Sequence, residues 1–373
     1  MKLEELEDMT TLTIKTNALD NNIRIIKRLA NGAKVIAVLK GNAYGLGLTK
    51  FASFLQSKGI DNYGVTELSD AVTLRKNGIM GNILLMTPLY NSEDIATAIE
   101  HDITLSITST DCAHVIDETA ACMNHPTVNA HLCIDTGFGR YGFLCSEEKQ
   151  IVDTVQSLKH VRITGIFSHF HAAACRNEYY VKKQFQDFTN LCDTLRKDGI
   201  PVGIRRISSS TSMIKYPSMN LDAIRIGSAF LGRLAVSNDY GFHEVCNLSA
   251  CVDDIYELPA GHNIGYGHSF KLSHNARTAV ISAGYYHGLG MERHTDSRTN
   301  FFSPIRIYYK LKGTFHKKAP VACFKNRKLP VLGQISMNSV IVDTTGCNIS
   351  VGDTVTFPIN PIFVNSAVPR VYM

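Results

Sequence analysis

Residues 35–47 read VIAVLKGNAYGLG, an apolar run rich in β-branched residues that delivers one lysine, Lys40, to its end and then breaks into glycine-punctuated chain. A short apolar run bounded in this way fits a strand buried on both faces. Seven further runs of the same texture follow, beginning near Tyr63 (YGVTE), Ile83 (ILLMT), Thr104 (TLSIT), Val128 (VNAHLCID), Ile163 (ITGIFSH), Gly203 (GIRRISS) and Ala223 (AIRIG). Helical stretches fill most of the gaps. After the sixth run Phe185, Phe188, Leu191 and Leu195 recur at helical spacing until Gly199-Ile200-Pro201 ends the pattern. Eight such repeats predict an α/β fold, a (β/α)8 TIM-type barrel with its site at the C-terminal strand ends. A doubly wound open sheet satisfies the same alternation.

The barrel domain is read as residues 10–240. From about residue 241 to 373 the texture changes to short β-prone runs separated by turns, NLSACVDDIYEL, RTAVISAGYY, PIRIYYKL, NSVIVDTT and DTVTFPI, which predict a mainly antiparallel β domain. The opening TTLTIK is also strand-like; its pairing is open, and residues 1–9 are candidates to join the second domain.

The chain has 373 residues, 45% apolar and 19% charged, enough for one large and one smaller core. A formal charge of +5 with scattered Lys and Arg does not form the basic stripe of a nucleic-acid binder, whereas a small anionic ligand is compatible with it. The acidic start MKLEELEDM lacks the apolar centre of a signal peptide, and no run of about 18 apolar residues suggests a membrane span. Ten dispersed cysteines without a CxxC pair fit a reduced, cytoplasmic protein.

A lysine at the end of a buried strand is costly as mere structure. Desolvation lowers its pKa and leaves more neutral amine for Schiff-base chemistry, although a rim lysine at the barrel surface satisfies the same position. The whole segment Ala37-Val38-Leu39-Lys40-Gly41-Asn42-Ala43-Tyr44-Gly45-Leu46-Gly47 resembles the cofactor-lysine motif of the alanine racemase family, and the likeness continues over most of both domains. The resemblance implies pyridoxal 5'-phosphate on Lys40, which also serves as one of two opposed bases, with Tyr44 near the phosphate. Asp135-Thr136-Gly137-Phe138-Gly139-Arg140 is similar to the family segment whose arginine meets the substrate carboxylate, a task suited to a planar fork of donors. Ser168-His169-Phe170 resembles a Thr-His-Phe element whose histidine stacks on the pyridine ring. Ser209-Ser210-Thr211 and Ile224-Arg225-Ile226-Gly227-Ser228 follow strands seven and eight, where barrels commonly bind phosphate. Ser210, Gly227 and Ser228 are assigned to it, and Ser209 and Thr211 to the turn. By resemblance Arg225 faces the pyridine nitrogen, where a permanent cation discourages ring protonation.

In the β domain Gly265-Tyr266-Gly267 is similar to the segment that carries the family's second base, Tyr266. A free tyrosine titrates near ~10, so neighbouring cations or hydrogen bonds must favour its phenolate. Tyr285 resembles a residue of the substrate entrance, and Met337 in Ser336-Met337-Asn338 a substrate contact. The family arrangement implies a homodimer with sites shared between subunits, no metal, and an amino-acid substrate.

Departures from the pattern are Cys133, where many relatives carry a carbamylated lysine that holds the arginine, and Asn338, His287 and Ser366 around the expected entrance. The stretch 289–332 is longer than usual. Two-base racemisation of alanine is the implied reaction, with serine or a larger amino acid as the alternative substrate. A decarboxylase or lyase, or a non-catalytic carrier of the cofactor, are competing classes.

Overall fold

The computed structural model describes residues 10–125, 127–291 and 321–373. It divides into two compact units: Thr16–Val245, and the described residues of Met1–Lys15 with Cys246–Met373. Strand β1 (Thr11–Ile14) therefore lies in the second unit, although the sequence reading began the barrel domain at residue 10.

The first unit contains all eight expected strands. They are β2 (Lys34–Val38), β3 (Asn62–Val65), β4 (Asn82–Leu85), β5 (Leu105–Ile107), β6 (Val128–Asp135), which is extended by pairing with the short β7 (Phe143–Leu144), β8 (Val161–Phe167), β9 (Ile204–Arg206) and β10 (Ala223–Ile226). Every neighbouring pair is parallel. The order β10-β2-β3-β4 continues through a bridge from Leu84 to Thr104 into β5-β6-β8-β9, and a bridge from Ser209 to Arg225 returns to β10. No edge is left, so the open-sheet alternative is excluded and the sheet is a closed eight-stranded barrel.

Helices α1 (Thr16–Ala30), α2 (Leu48–Ser57), α3 (Leu68–Lys76), α4 (Ser92–Glu100), α5 (Thr110–Cys122), α6 (Glu148–Ser157), α7 (Tyr179–Lys197) and α8 (Ser210–Lys215) accompany the strands. Their starts follow local chemistry: the Asn91 side chain accepts the Glu93 and Asp94 N–H groups at α4, and Ser109 accepts that of Cys112 at α5. On α7 the buried face is Val181, Gln184, Phe188, Leu191, Cys192 and Leu195. The expected apolar stripe is thus correct at three positions, but the polar Gln184 is buried while Phe185 is only half-buried.

Between β2 and α2 the backbone takes a left-handed turn. Gly41, Asn42, Ala43 and Tyr44 have φ of 62°, 53°, 55° and 55°, and Gly45 closes it at 88°. Each non-glycine residue there costs on the order of 1–2 kcal/mol. Burial of Ala43, and a hydrogen bond from the Leu48 N–H to the Asn42 carboxamide oxygen at 2.8 Å, offset part of this. That bond caps α2 and fixes the chain just beyond Lys40.

The second unit is mainly antiparallel. Strands β11 (Cys246–Leu258), β12 (Ala276–Ile281), β13 (Val321–Phe324), β14 (Arg327–Leu332), β15 (Val340–Asp343) and β16 (Thr354–Pro358) pair in the order β12-β15-β14-β13-β16-β11 and close through β11–β12. β1 joins the first half of β11, and β17 (Arg370–Tyr372) lies parallel to β1. Four of the five expected β runs are seen; PIRIYYKL falls within 292–320, outside the described residues, as does most of the long 289–332 stretch.

Asn42→Ala is expected to lower stability by about 1–2 kcal/mol, through the lost cap and the poorer fit of alanine to the left-handed region. A urea-unfolding midpoint followed by circular dichroism checks this, and an unchanged midpoint would contradict it.

Candidate active site

At the C-terminal ends of the barrel strands lies a cavity of about 550 Å³. Lys40, Tyr44, Arg140, His169, Ser210, Arg225, Gly227 and Ser228, all singled out in the sequence, line it together. Pairing of β2 with β10 brings Lys40 and the Arg225–Ser228 segment to neighbouring strand ends.

Lys40 opens onto this cavity. Its ammonium is held below the ordinary lysine value, first by desolvation and then by the Arg140 and Arg225 cations. Tyr44 is half-buried, and burial raises its hydroxyl above the usual value against an opposing pull from Arg225, so it remains a proton donor at neutral pH.

Arg225 is buried and makes no ion pair with a carboxylate among the described residues. One of its terminal nitrogens, Nη2, donates to the Ser168 carbonyl and, at 3.1 Å, to His169 Nδ1. Desolvation pulls it down to about 10, so it stays cationic at neutral pH. Its donation makes Nδ1 of His169 the acceptor and leaves the ring proton on Nε2. Burial, then Arg225, Arg140 and Lys40, drive His169 down to about 3, and the ring is neutral.

Arg140 is organised without an acid partner. The Asp135 carboxylate accepts backbone N–H groups from Gly137, Phe138, Gly139 and Arg140 at 2.7, 2.7, 2.7 and 3.0 Å. Burial would raise the Asp135 pKa, but these four bonds outweigh it and the net shift is downward. The Arg140 guanidinium lies 4.4 Å from the centre of the Phe138 ring, which in turn packs on His169 with centroids 5.4 Å apart. Cys133 at the carbamate position is buried, donates to the Tyr141 carbonyl at 3.4 Å, and is pushed up to about 12 by burial. It packs and ties the loop; it does not supply a thiolate.

The end of the cavity around Ser210 and Gly227 is built of small groups. Gly227 and Ala229 N–H groups converge on Ser210 Oγ at 3.2 and 3.3 Å. A Cβ on Gly227 would lie 2.3 Å from Tyr44 Oη, so only glycine leaves room for that hydroxyl. Hydroxyls, a glycine and backbone donors fit a phosphate. Arg225 Nε has no acceptor among the described residues, and a pyridine nitrogen bearing a lone pair is a matching partner. The donor set therefore fits pyridoxal phosphate at both ends.

The remaining sequence candidates lie in the second unit. Tyr285 and Met337 belong to one corner: Tyr285 N–H donates to the Ser336 carbonyl and Tyr286 N–H to that of Met337, both at 3.0 Å. A Cβ on Gly284 would come within 2.2 Å of the Met337 carbonyl, so this close approach requires glycine. His287 folds back to accept the Gly284 N–H. Tyr266 sits on a short 3-10 turn and is 69% exposed, with Ser269 Oγ donating to its carbonyl.

Sequence reading missed Phe138, Gln184 and a buried pair. Arg206 is fully buried, donates to His131 Nδ1, and faces the ring of Phe167, with Arg225 over the same ring at 5.0 Å. Gly165 makes room for the His131 ring, since a Cβ there would sit 2.8 Å from it. In sequence Arg206 was one of two adjacent arginines on a short strand; alternation alone marks one of them as inward.

Comparison with known proteins agrees with this architecture. The alanine racemase N-terminal domain matches residues 14–234 and the alanine racemase C-terminal domain residues 245–361. Alanine racemase 1 of Clostridium acetobutylicum is 30% identical over 348 residues, 90% of this chain and 83% of that protein. Alanine racemase 1 of Caldanaerobacter subterraneus subsp. tengcongensis is 28% identical over 93% of this chain and 84% of its own length. The fold of alanine racemase from Clostridium difficile superposes with a TM-score of 0.83 at 24% identity, covering 98% of this chain and 95% of that one. A two-domain barrel protein with a lysine and two arginines at the barrel mouth is the class that fold and cavity define. The chain belongs to the alanine racemase family.

Two measurements probe the electrostatics. In the cofactor-free protein the rate at which Lys40 condenses with added pyridoxal rises with pH through its lowered pKa. Removing a neighbouring cation with Arg140→Ala moves this rise to higher pH, and no shift would contradict the account. Arg206→Met removes a buried charge without an acid partner and is expected to leave the urea midpoint unchanged or raised; a loss above about 1 kcal/mol would show that the guanidinium is net stabilising.

Proposed function

We propose that the chain is an isomerase that interconverts L- and D-alanine with pyridoxal phosphate, using Lys40 and Tyr266 as bases on opposite faces of the α-carbon. The observation that supports the reading is the surroundings of Arg225: it is a buried cation that meets no carboxylate among the described residues, and the histidine beside it is neutral, so neither offers a proton to a pyridine ring. When bound, the cofactor withdraws electrons from the amino-acid nitrogen and makes the α-hydrogen acidic.

Each residue has a separable task. Tyr44, Ser210, Gly227 and Ser228 hold the phosphate, and His169 supports the ring. Arg225 keeps the ring nitrogen unprotonated, which limits how much charge the ring absorbs and favours return of a proton over more extensive chemistry. Arg140 grips the substrate carboxylate with Met337 nearby. Lys40, its amine made less basic by desolvation and then by the two arginines, exchanges one α-proton, and Tyr266 exchanges the other. Tyr285 narrows the entrance. In this reading the tyrosine and methionine segments come from a neighbouring subunit, so the active form is a homodimer. Among the described residues no helix is long and apolar enough to cross a membrane.

L-Alanine, L-serine and larger L-amino acids incubated in deuterium oxide with the loaded enzyme, then separated by chiral chromatography, test the proposal. D-Alanine carrying α-deuterium is expected as the main product. Lys40→Ala and Tyr266→Phe should each lower the rate by at least about 100-fold, the range of a lost acid–base group. Carbon dioxide release without α-exchange would turn the reading to a decarboxylase, and a loaded but inert protein to a carrier.

A further inference from the structure

Gln184 is the one polar residue on the buried face of α7, 2% exposed at a position where the helical period calls for an apolar side chain. Its carboxamide is engaged at both ends. Oε1 accepts the His171 N–H at 3.1 Å, and Nε2 donates to Thr136 Oγ1 at 2.8 Å and to the His169 carbonyl at 3.2 Å. The orientation is forced, because a flipped amide would set its oxygen against the His169 carbonyl and its NH2 against the His171 N–H.

These partners are not random backbone. Thr136 directly follows Asp135, whose carboxylate gathers the loop that carries Arg140. Since Thr136 Oγ1 accepts from Gln184, its own proton is available to Ser168 Oγ, 2.8 Å away. The Ser168 carbonyl in turn receives Arg225, which also donates to the His169 ring. One amide on an outer helix thus joins the ends of β6 and β8, and through them the arginine that meets the substrate carboxylate, the ring-supporting histidine and Arg225. With Cys133 at the carbamate position, no side-chain acid fixes the Arg140 guanidinium among the described residues, so its loop depends on Asp135 and on this anchor.

We propose that Gln184 is a positioning residue for the reaction: it fixes the spacing of the Arg140 loop and His169 without touching substrate or cofactor. The inference rests on the racemase reading for the reaction it serves, but its geometry does not. Misplacement of such groups by about 1 Å can cost up to about 100-fold in rate.

Two variants, loaded with pyridoxal phosphate, test this. Gln184→Leu keeps the size and deletes all three bonds; the expected result is a folded protein with kcat lowered about 10- to 100-fold, KM for alanine raised, and altered circular dichroism of the bound cofactor. Gln184→Glu is isosteric but, when ionised, can only accept, so the Thr136 and His169 donations are lost. Burial raises its pKa, and the protonated acid regains one donor as pH falls. Its activity relative to the wild type should therefore recover toward lower pH, a response that packing alone would not give. Wild-type kcat, KM, pH profile and cofactor dichroism in both variants would overturn the proposal. Should Gln184→Leu fail to fold, the pH response of Gln184→Glu decides: recovery supports the role and its absence refutes it. A wild-type protein that binds the cofactor yet does not racemise would sink the proposed function alone, because the dichroism of wild type against the variants still reads the position of His169.

Discussion

The pairing of β2 with β10 is the constraint on which the rest depends. Residues 34–37 lie in parallel register with residues 223–226, so the first and last strands of the barrel become neighbours although nearly two hundred residues separate them. The lysine at the end of one and the arginine, glycine and serine at the end of the other can then share a cavity. An open sheet would carry the same residues at opposite edges. Closure leaves no sheet edge, so a side chain that points inward is surrounded by those of the other strands.

That interior is unusual in sign. Arg206 and Arg225 are both buried, both over Phe167, and among the described residues neither meets a carboxylate. Such charges are expensive unless hydrogen-bonded, and each has only part of its donors satisfied. Burial first, and then Arg225 with Arg206 at His131 and with Arg140 at His169 and Lys40, hold both histidines neutral and weaken the basicity of the lysine. The barrel mouth is therefore a place where anions and lone pairs are welcome and additional protons are not. Under the proposed function it would receive a ligand with a phosphate, a carboxylate and an unprotonated ring nitrogen.

Much of this was legible beforehand. All eight barrel strands were visible because parallel strands buried on two faces read as continuous apolar runs, and the residues at their ends became visible with them. The hairpin β13–β14 was not: its four- and six-residue strands include Pro330, which donates no hydrogen bond, and its turn at Lys325-Asn326 relies on positive φ at a lysine. Gln184 was hidden by Phe185, since periodicity counts apolar residues and cannot recognise a buried amide that is satisfied from three sides. The left-handed turn after Lys40 was hinted at by its glycines, but Ala43 and Tyr44 adopt it against their own preference, held by packing that no local pattern encodes.

The second unit draws β1 from the beginning of the chain and β11 and β17 from its later part, with Thr11 facing Ser249 and Leu12 beside Arg370. Its sheet mixes the earliest described residues with segments that follow the barrel, and the whole barrel is synthesised in between. Such non-local pairing is slow to form, and β1 is made before either of its partners. A fragment beginning at Cys246 would expose the β11 and β17 edges that β1 normally covers, which makes the isolated domain prone to edge-to-edge association. For this chain the order of synthesis and the order of assembly cannot coincide.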